Sequence, residues 1–95
     1  MRRDEVLNIL RMHKDVLVAK YGVTRLGIFG SVARDEATPG SDVDIVVEMP
    51  PDLFQMVHMQ DELEEILRTS VDLIRYQKYL NALLKRRIDN EAIYV

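Results

Sequence analysis

Two short stretches, Gly30-Ser31-Val32-Ala33-Arg34 and Ser41-Asp42-Val43-Asp44, carry the residue types in this chain best suited to chemistry. A Gly-Ser turn ahead of a short helical stretch can cradle phosphate with backbone N–H groups and a hydroxyl. Two carboxylates one residue apart can hold a divalent cation. Together these are what nucleotidyl transfer requires. The combination carries the reading, because either half alone is common in ordinary turns.

The apolar run Leu26-Gly27-Ile28-Phe29 reads as a buried strand that delivers the chain into Gly30. Glycine takes backbone angles closed to other residues, so the chain can turn sharply there and approach a ligand. Ser31 is expected to cap a short helix over 32–37, whose free N–H groups and positive dipole end favour an anion. A plain strand–turn–helix corner uses the same residues, so the turn alone leaves both readings open. Thr38-Pro39-Gly40 suits a turn. Beyond it, Asp42-Val43-Asp44-Ile45-Val46-Val47 reads as a strand rich in β-branched residues. Alternation puts Asp42 and Asp44 on one face and Val43, Ile45 and Val47 on the other. Such neighbouring carboxylates repel by about 1 to 4 kcal/mol at about 4 Å, depending on the local dielectric. A bound Mg²⁺ converts that repulsion into ligation. A solvated strand end whose aspartates serve the turn is the competing reading.

A third carboxylate has a similar setting. Ser70-Val71-Asp72-Leu73-Ile74 reads as another strand with a charge inside an apolar run, which is costly to bury unless paired or metal-bound. An ion pair to Arg68 or Arg75 would also account for it. Three acids on neighbouring strands, facing a phosphate turn, suit two-metal phosphoryl chemistry, one ion at the attacking oxygen and the other at the triphosphate.

Gly30-Ser31, ten intervening residues and Asp42-Val43-Asp44, with Ala33-Arg34 and Ser41 inside, resemble the signature of the polymerase-β-like nucleotidyltransferase superfamily. The short chain, the Leu-Gly-Ile-Phe lead-in and Asp72 resemble its smallest branch, the minimal nucleotidyltransferases paired with HEPN-domain proteins in prokaryotic toxin–antitoxin modules. The resemblance runs from the first helix to the closing Glu91-Ala92-Ile93-Tyr94-Val95. It implies an antitoxin-type enzyme that transfers AMP from ATP to a hydroxyl, a tyrosine of its HEPN ribonuclease partner. It further implies that Gly30 and Ser31 hold the triphosphate. Asp42, Asp44 and Asp72 are then the catalytic, metal-binding acids for two Mg²⁺ ions, with Asp72 also helping to deprotonate the acceptor. Arg34 and Ser41 fall within the nucleotide-binding motif; Arg34 suits a phosphate contact or a structural ion pair, the second being preferred. Asp35 departs from the pattern, standing where glycine is frequent and adding negative charge near the turn.

The elements that must position these residues are legible as hydrophobic periods. Val6, Ile9, Leu10, Val16 and Leu17 give residues 4–20 a helical stripe ending at Tyr21-Gly22. Pro50-Pro51 closes the aspartate strand, and Asp52 with Gln55 resembles a capping box for a helix through Arg68. Leu53, Met56, Val57, Leu63, Ile66 and Leu67 are expected inward on it. A third helix over about 78–89 is expected to bury Leu80, Leu83, Leu84 and Ile88. Strands at about 24–29, 42–48 and 70–75 alternate with these helices, so the fold class is α/β (α+β), a small mixed sheet packed with helices.

Ninety-five residues suit one domain, 1–95, with no room for a separate substrate domain. The absence of cysteine removes disulfides, thiol chemistry and zinc–cysteine sites. No apolar stretch reaches the length of a membrane span and the charged Arg2-Arg3-Asp4-Glu5 is no signal core, so a soluble, cytoplasmic protein is expected. A net charge of −3 disfavours a nucleic-acid-binding surface. His13 and His58 lack a second ligand at metal spacing and read as helix-surface residues. Met12, Met56 and Met59 read as core filling and scattered surface. Glu62, Glu64 and Glu65 read as an exposed helix face, and Lys85-Arg86-Arg87 as a solvated helix end that complements the dipole. Two other functions fit parts of the sequence. One is a catalytically silent antitoxin that occludes its partner, for which three spaced carboxylates are superfluous. The other is a nucleotidyltransferase acting on a small molecule, for which the chain is short.

Overall fold

The computed structural model describes all 95 residues. Helix α1, Arg3–Tyr21, opens with Asp4 and Glu5 in its first turn, where carboxylates offset the dipole. It stops at Gly22, whose left-handed φ of 70° lets its N–H return to the Val18 carbonyl. Strand β1, Arg25–Phe29, follows, then the single turn α2, Gly30–Ala33, and strand β2, Val43–Glu48. Asp52 accepts a hydrogen bond from the Gln55 N–H (3.1 Å) and starts α3, Leu53–Leu67. Strand β3, Val71–Arg75, leads to α4, Ala82–Glu91, capped by Asn81, and to the short strand β4, Ile93–Tyr94.

The sheet order is β3-β2-β1-β4. Strand β1 runs antiparallel to both β2 and β4, whereas β2 and β3 are parallel with α3 as the crossover between them. Side-chain alternation splits the apolar residues into two layers. Leu26, Ile28, Val43, Ile45, Val47, Val71 and Leu73 meet α1 and α3 in a cluster of 19 buried residues. On the opposite face Phe29, Val46 and Ile88 form a cluster of three, with Leu80, Leu84 and Tyr94 packed around them. The mixed α+β class expected from the sequence is the observed one.

Several boundaries and orientations differ from the periodic reading. The fourth strand was hidden in a two-residue stretch too short to show alternation; Gly27 admits it, since a Cβ there would stand 2.6 Å from the Ile93 carbonyl oxygen. Helix α4 begins at Ala82 rather than near 78, because the Asn81 side chain takes the N–H groups of Leu83 and Leu84. Leu83 therefore faces solvent at 72% exposure instead of the core. In α3, Leu53 and Val57 are exposed and Met59 is fully buried, a rotation of the inward stripe toward Met59, Leu63 and Leu67. Val16 is likewise exposed, while Leu7 and Tyr21 join the α1 stripe. Glu62 is no bystander on an exposed face: it accepts from Lys20 Nζ (2.6 Å) and Tyr21 Oη (2.8 Å), tying α3 to α1. Glu64 accepts from the Val71 N–H at 3.0 Å.

Candidate active site

Strand register gathers the acids. Phe29 pairs with Asp44 across β1 and β2, and Asp44 stands beside Asp72 across β2 and β3. Residues in register on parallel strands point the same way, and adjacent strands are about 4.8 Å apart. Val43, Ile45, Val71 and Leu73 point into the α1–α3 core, so Asp44 and Asp72 project from the face that carries α4. Asp42 lies one residue before β2, not within it as expected. Strand β1 has ended at Phe29, opposite Asp44, so nothing extends the antiparallel ladder to Asp42.

The turn after β1 is shaped by this cluster. Gly30 has a left-handed φ of +74°, and a Cβ on it would overlap Asp44 Oδ2 and lie 3.0 Å from Asp44 Cγ. The glycine is required by the carboxylate that leans on it. Ser31 does not cap the helix: Phe29 occupies that position and α2 already includes Gly30, whose carbonyl accepts from the Arg34 N–H (3.1 Å). The helix also stops at Ala33 instead of continuing to 37. Asp35 adopts a left-handed φ of 58°, the conformation a glycine would supply, and its Oδ1 accepts from the Arg3 N–H (3.3 Å). The Glu36 N–H closes the turn on the Ser31 carbonyl at 2.8 Å.

Charge at the site is unevenly matched. Asp44, half-buried, is pushed above the ordinary carboxylate range by burial first, then by Asp72 and Asp42; the cations of Arg87 and Arg34 oppose the rise. Arg34 is held in ion pairs with Glu36 (3.2 Å) and with Glu91. The structural pairing preferred for it is thus present. The Ser41 hydroxyl accepts from the Thr38 N–H (3.1 Å) and meets Thr38 Oγ1 at 3.1 Å, tying the turn before β2. Asp72 makes no ion pair. Arg75 donates instead to the Met49 carbonyl (2.9 Å) and to Gln77 (3.2 Å). Asp72 is also exposed, so the expected cost of burying it does not arise: β3 is an edge strand and α4 leaves its start uncovered.

No three acidic or histidine side chains converge as a closed ligand cluster. The donor set nevertheless suits a hard divalent cation, being carboxylate oxygen throughout, with Asp44 raised above its ordinary range by burial first and then by the charge of Asp72. No cavity encloses these acids. The clefts in the structure lie between α1 and α3, lined by Lys20, Gln55, His58 and Glu65 among others, away from the carboxylate edge. Sequence reasoning missed Arg87 and Glu91, which share the site from α4. Their i,i+4 spacing was the available signal, and it was masked by the basic run around Arg87.

The nucleotidyltransferase domain family matches residues 10–95. A relative from Methanocaldococcus jannaschii, assigned as a protein adenylyltransferase, is 41% identical over 93 residues, covering 96% of this chain and 95% of its own. The protein adenylyltransferase MntA of Thermococcus cleftensis is 35% identical over 94 residues, covering 97% and 94%. Among solved structures, one described as a minimal nucleotidyltransferase superposes with a TM-score of 0.78 at 33% identity, over 98% of this chain and 95% of that one. The antitoxin in a complex with the tri-AMPylated HEPN toxin of Shewanella oneidensis shares the fold, with a TM-score of 0.61 at 18% identity over 97% and 66%. This chain belongs to the nucleotidyltransferase domain family, in its minimal form.

Proposed function

We propose that this chain, as one domain over 1–95, is a cytoplasmic antitoxin-type protein adenylyltransferase that moves AMP from ATP to a tyrosine hydroxyl of a HEPN-domain ribonuclease partner. The observation that carries the reading is the register of Asp44 beside Asp72 at the Gly30 turn, without an ion-pair partner for Asp72. A fold alone has no need to gather unneutralised carboxylates. Gly30 and Ser31 receive the triphosphate beside the acids, Arg34 braces the nucleotide-binding turn through its ion pairs with Glu36 and Glu91, and Ser41 sets the turn from which Asp42 projects. Asp42, Asp44 and Asp72 are the residues that would hold divalent metal, two Mg²⁺ ions in this reading, which when bound supply charge neutralisation at the phosphates. The acceptor oxygen bonds to the α-phosphorus as the bond to pyrophosphate breaks, and the phenolic proton passes to a carboxylate. In this reading Asp72 takes it, and its exposure at the sheet edge supports that role. A tyrosine hydroxyl, with a reference pKa of about 10, needs that help at neutral pH.

The open site supports a macromolecular acceptor. A small-molecule acceptor is ordinarily bound in a concave pocket, and none encloses the carboxylates here. The test is intact-mass spectrometry of the HEPN partner after incubation with ATP, Mg²⁺ and this chain. The parent should add AMP to the partner, and Asp72→Asn should bind the partner equally well while transfer falls by orders of magnitude. A parent that silences the partner without adding mass would establish occlusion instead.

A further inference from the structure

Arg87 and Glu91 lie one turn apart on α4, on the side that meets α2 and β1. The Glu91 carboxylate is mostly buried, with 19% of its side chain exposed, and works in two directions. Oε1 accepts from Arg34, the residue that ends α2, and Oε2 stands 3.7 Å from Arg87 Nε. One acid thus steers two guanidinium groups from different elements. The Arg87 guanidinium also lies over the Phe29 ring, 5.9 Å from its centre. Phe29 immediately precedes Gly30 and pairs with Asp44, so this cation sits directly beside the carboxylate edge.

The two arginines are not equivalent. Arg34 is consumed by two acids, Glu36 and Glu91. Arg87 has a single loose ion-pair contact at 3.7 Å, with half of its side chain exposed, so most of its five donors are free. The neighbouring Lys85 is engaged elsewhere, over the Tyr76 ring. The aspartates suit a cation and repel phosphate, and α2 is too short to act as a strong dipole. A polyphosphate reaching past the acids gains from a guanidinium fork, and of the two arginines beside Glu91 it is Arg87 that has donors to spare.

We propose that Arg87, resting on Phe29 and oriented by Glu91, takes the charge of the terminal phosphates of the nucleotide. This deepens the nucleotidyl-transfer reading and rests on it. Glu91 is a positioning residue: it aims Arg87 and keeps Arg34 from swinging into the acids.

Equilibrium binding of ATP and of AMP to the full chain, at fixed Mg²⁺ and low salt, tests the assignment. Arg87→Gln should weaken ATP by about tenfold or more, the worth of one charge-assisted contact, while AMP, which lacks the terminal phosphates, changes little. Arg87→Lys should recover part of the loss, Glu91→Gln should weaken ATP less than Arg87→Gln does, and Arg86→Gln should match the parent. Equal ATP affinity in Arg87→Gln and the parent overturns the proposal, as does an equal loss for ATP and AMP. Should Arg87→Gln not fold, Arg87→Lys decides alone, since it keeps the charge without the fork and parent-like affinity overturns the role. A parent that binds ATP and modifies its partner, with Arg87→Gln unchanged, defeats only the Arg87 assignment. A parent that binds no ATP defeats both readings.

Discussion

Asp44→Asn should make the metal-free protein more stable. In the folded chain Asp44 stands in register with Asp72, and neither carboxylate is hydrogen-bonded or ion-paired, so the amide forfeits no direct partner. At a strand spacing of about 4.8 Å the Coulomb repulsion is about 1 kcal/mol in water and about 3.5 kcal/mol at an effective dielectric of about 20. Asp72 is exposed, and Arg87 and Arg34 attract Asp44, which together favour the lower figure. A gain of up to about 1 kcal/mol raises the Tm of a domain this size by about 4 to 8 °C. The pH dependence has a definite sign. Burial and Asp72 raise the Asp44 pKa in the folded state, so the folded chain binds this proton more readily than the unfolded chain. The destabilisation is therefore full at neutral pH and fades as pH falls through the raised value toward about 4, the ordinary range. Thermal melts of parent and variant in chelator, from neutral to mildly acidic pH, should show a gap that closes on acidification. Mg²⁺ with ATP should stabilise the parent and not the variant, reversing their order. An Asp44→Asn Tm below the parent at neutral pH in chelator refutes the reasoning, because it would mean the carboxylate holds the fold together.

Gly30→Ala forces a side chain into the left-handed region and into Asp44, and should cost about 1 to 3 kcal/mol in urea unfolding. Most of the steric part should disappear in an Asp44→Ala background, so a double-mutant cycle with no coupling would contradict the close approach. Ile88→Ala empties the centre of the small α4 layer beneath Phe29 and should cost about 2 to 5 kcal/mol by denaturant unfolding; a loss under about 1 kcal/mol would show that α4 is not anchored there.

Hydrophobic period identified three of the four strands and the three long helices, because long amphipathic segments repeat their signal many times. Chemistry on opposite ends of β1 and β2 was legible for a different reason: a glycine before a serine and two aspartates on a strand are rare as a spaced set. What periodicity could not supply was rotation and long-range pairing. Leu53 and Val57 obey a helical period as well as Met59 does, and only packing against the sheet selects Met59. The meaning of Gly30 was half visible, since its freedom to turn is local, whereas its contact with Asp44 is made fourteen residues on in the chain. Asp35 read as a departure from the pattern; its left-handed backbone shows that an acid can do the conformational work of the glycine. Arg87 was hidden because its significance depends on the face of the sheet that α4 covers.

The two faces of the sheet are unequal, nineteen buried residues against three, and the site lies on the thinner one. The strands that present the acids are braced by the thick layer under α1 and α3, which should open only with global unfolding, whereas α4 rests on a thin one and should exchange its amide protons by local opening. The carboxylates are then a fixed half-site, and the guanidinium of Arg87 rides on the part of the molecule that breathes. A ligand that bridges them acts as a clasp, and protection from hydrogen exchange along α4 becomes a gauge of occupancy.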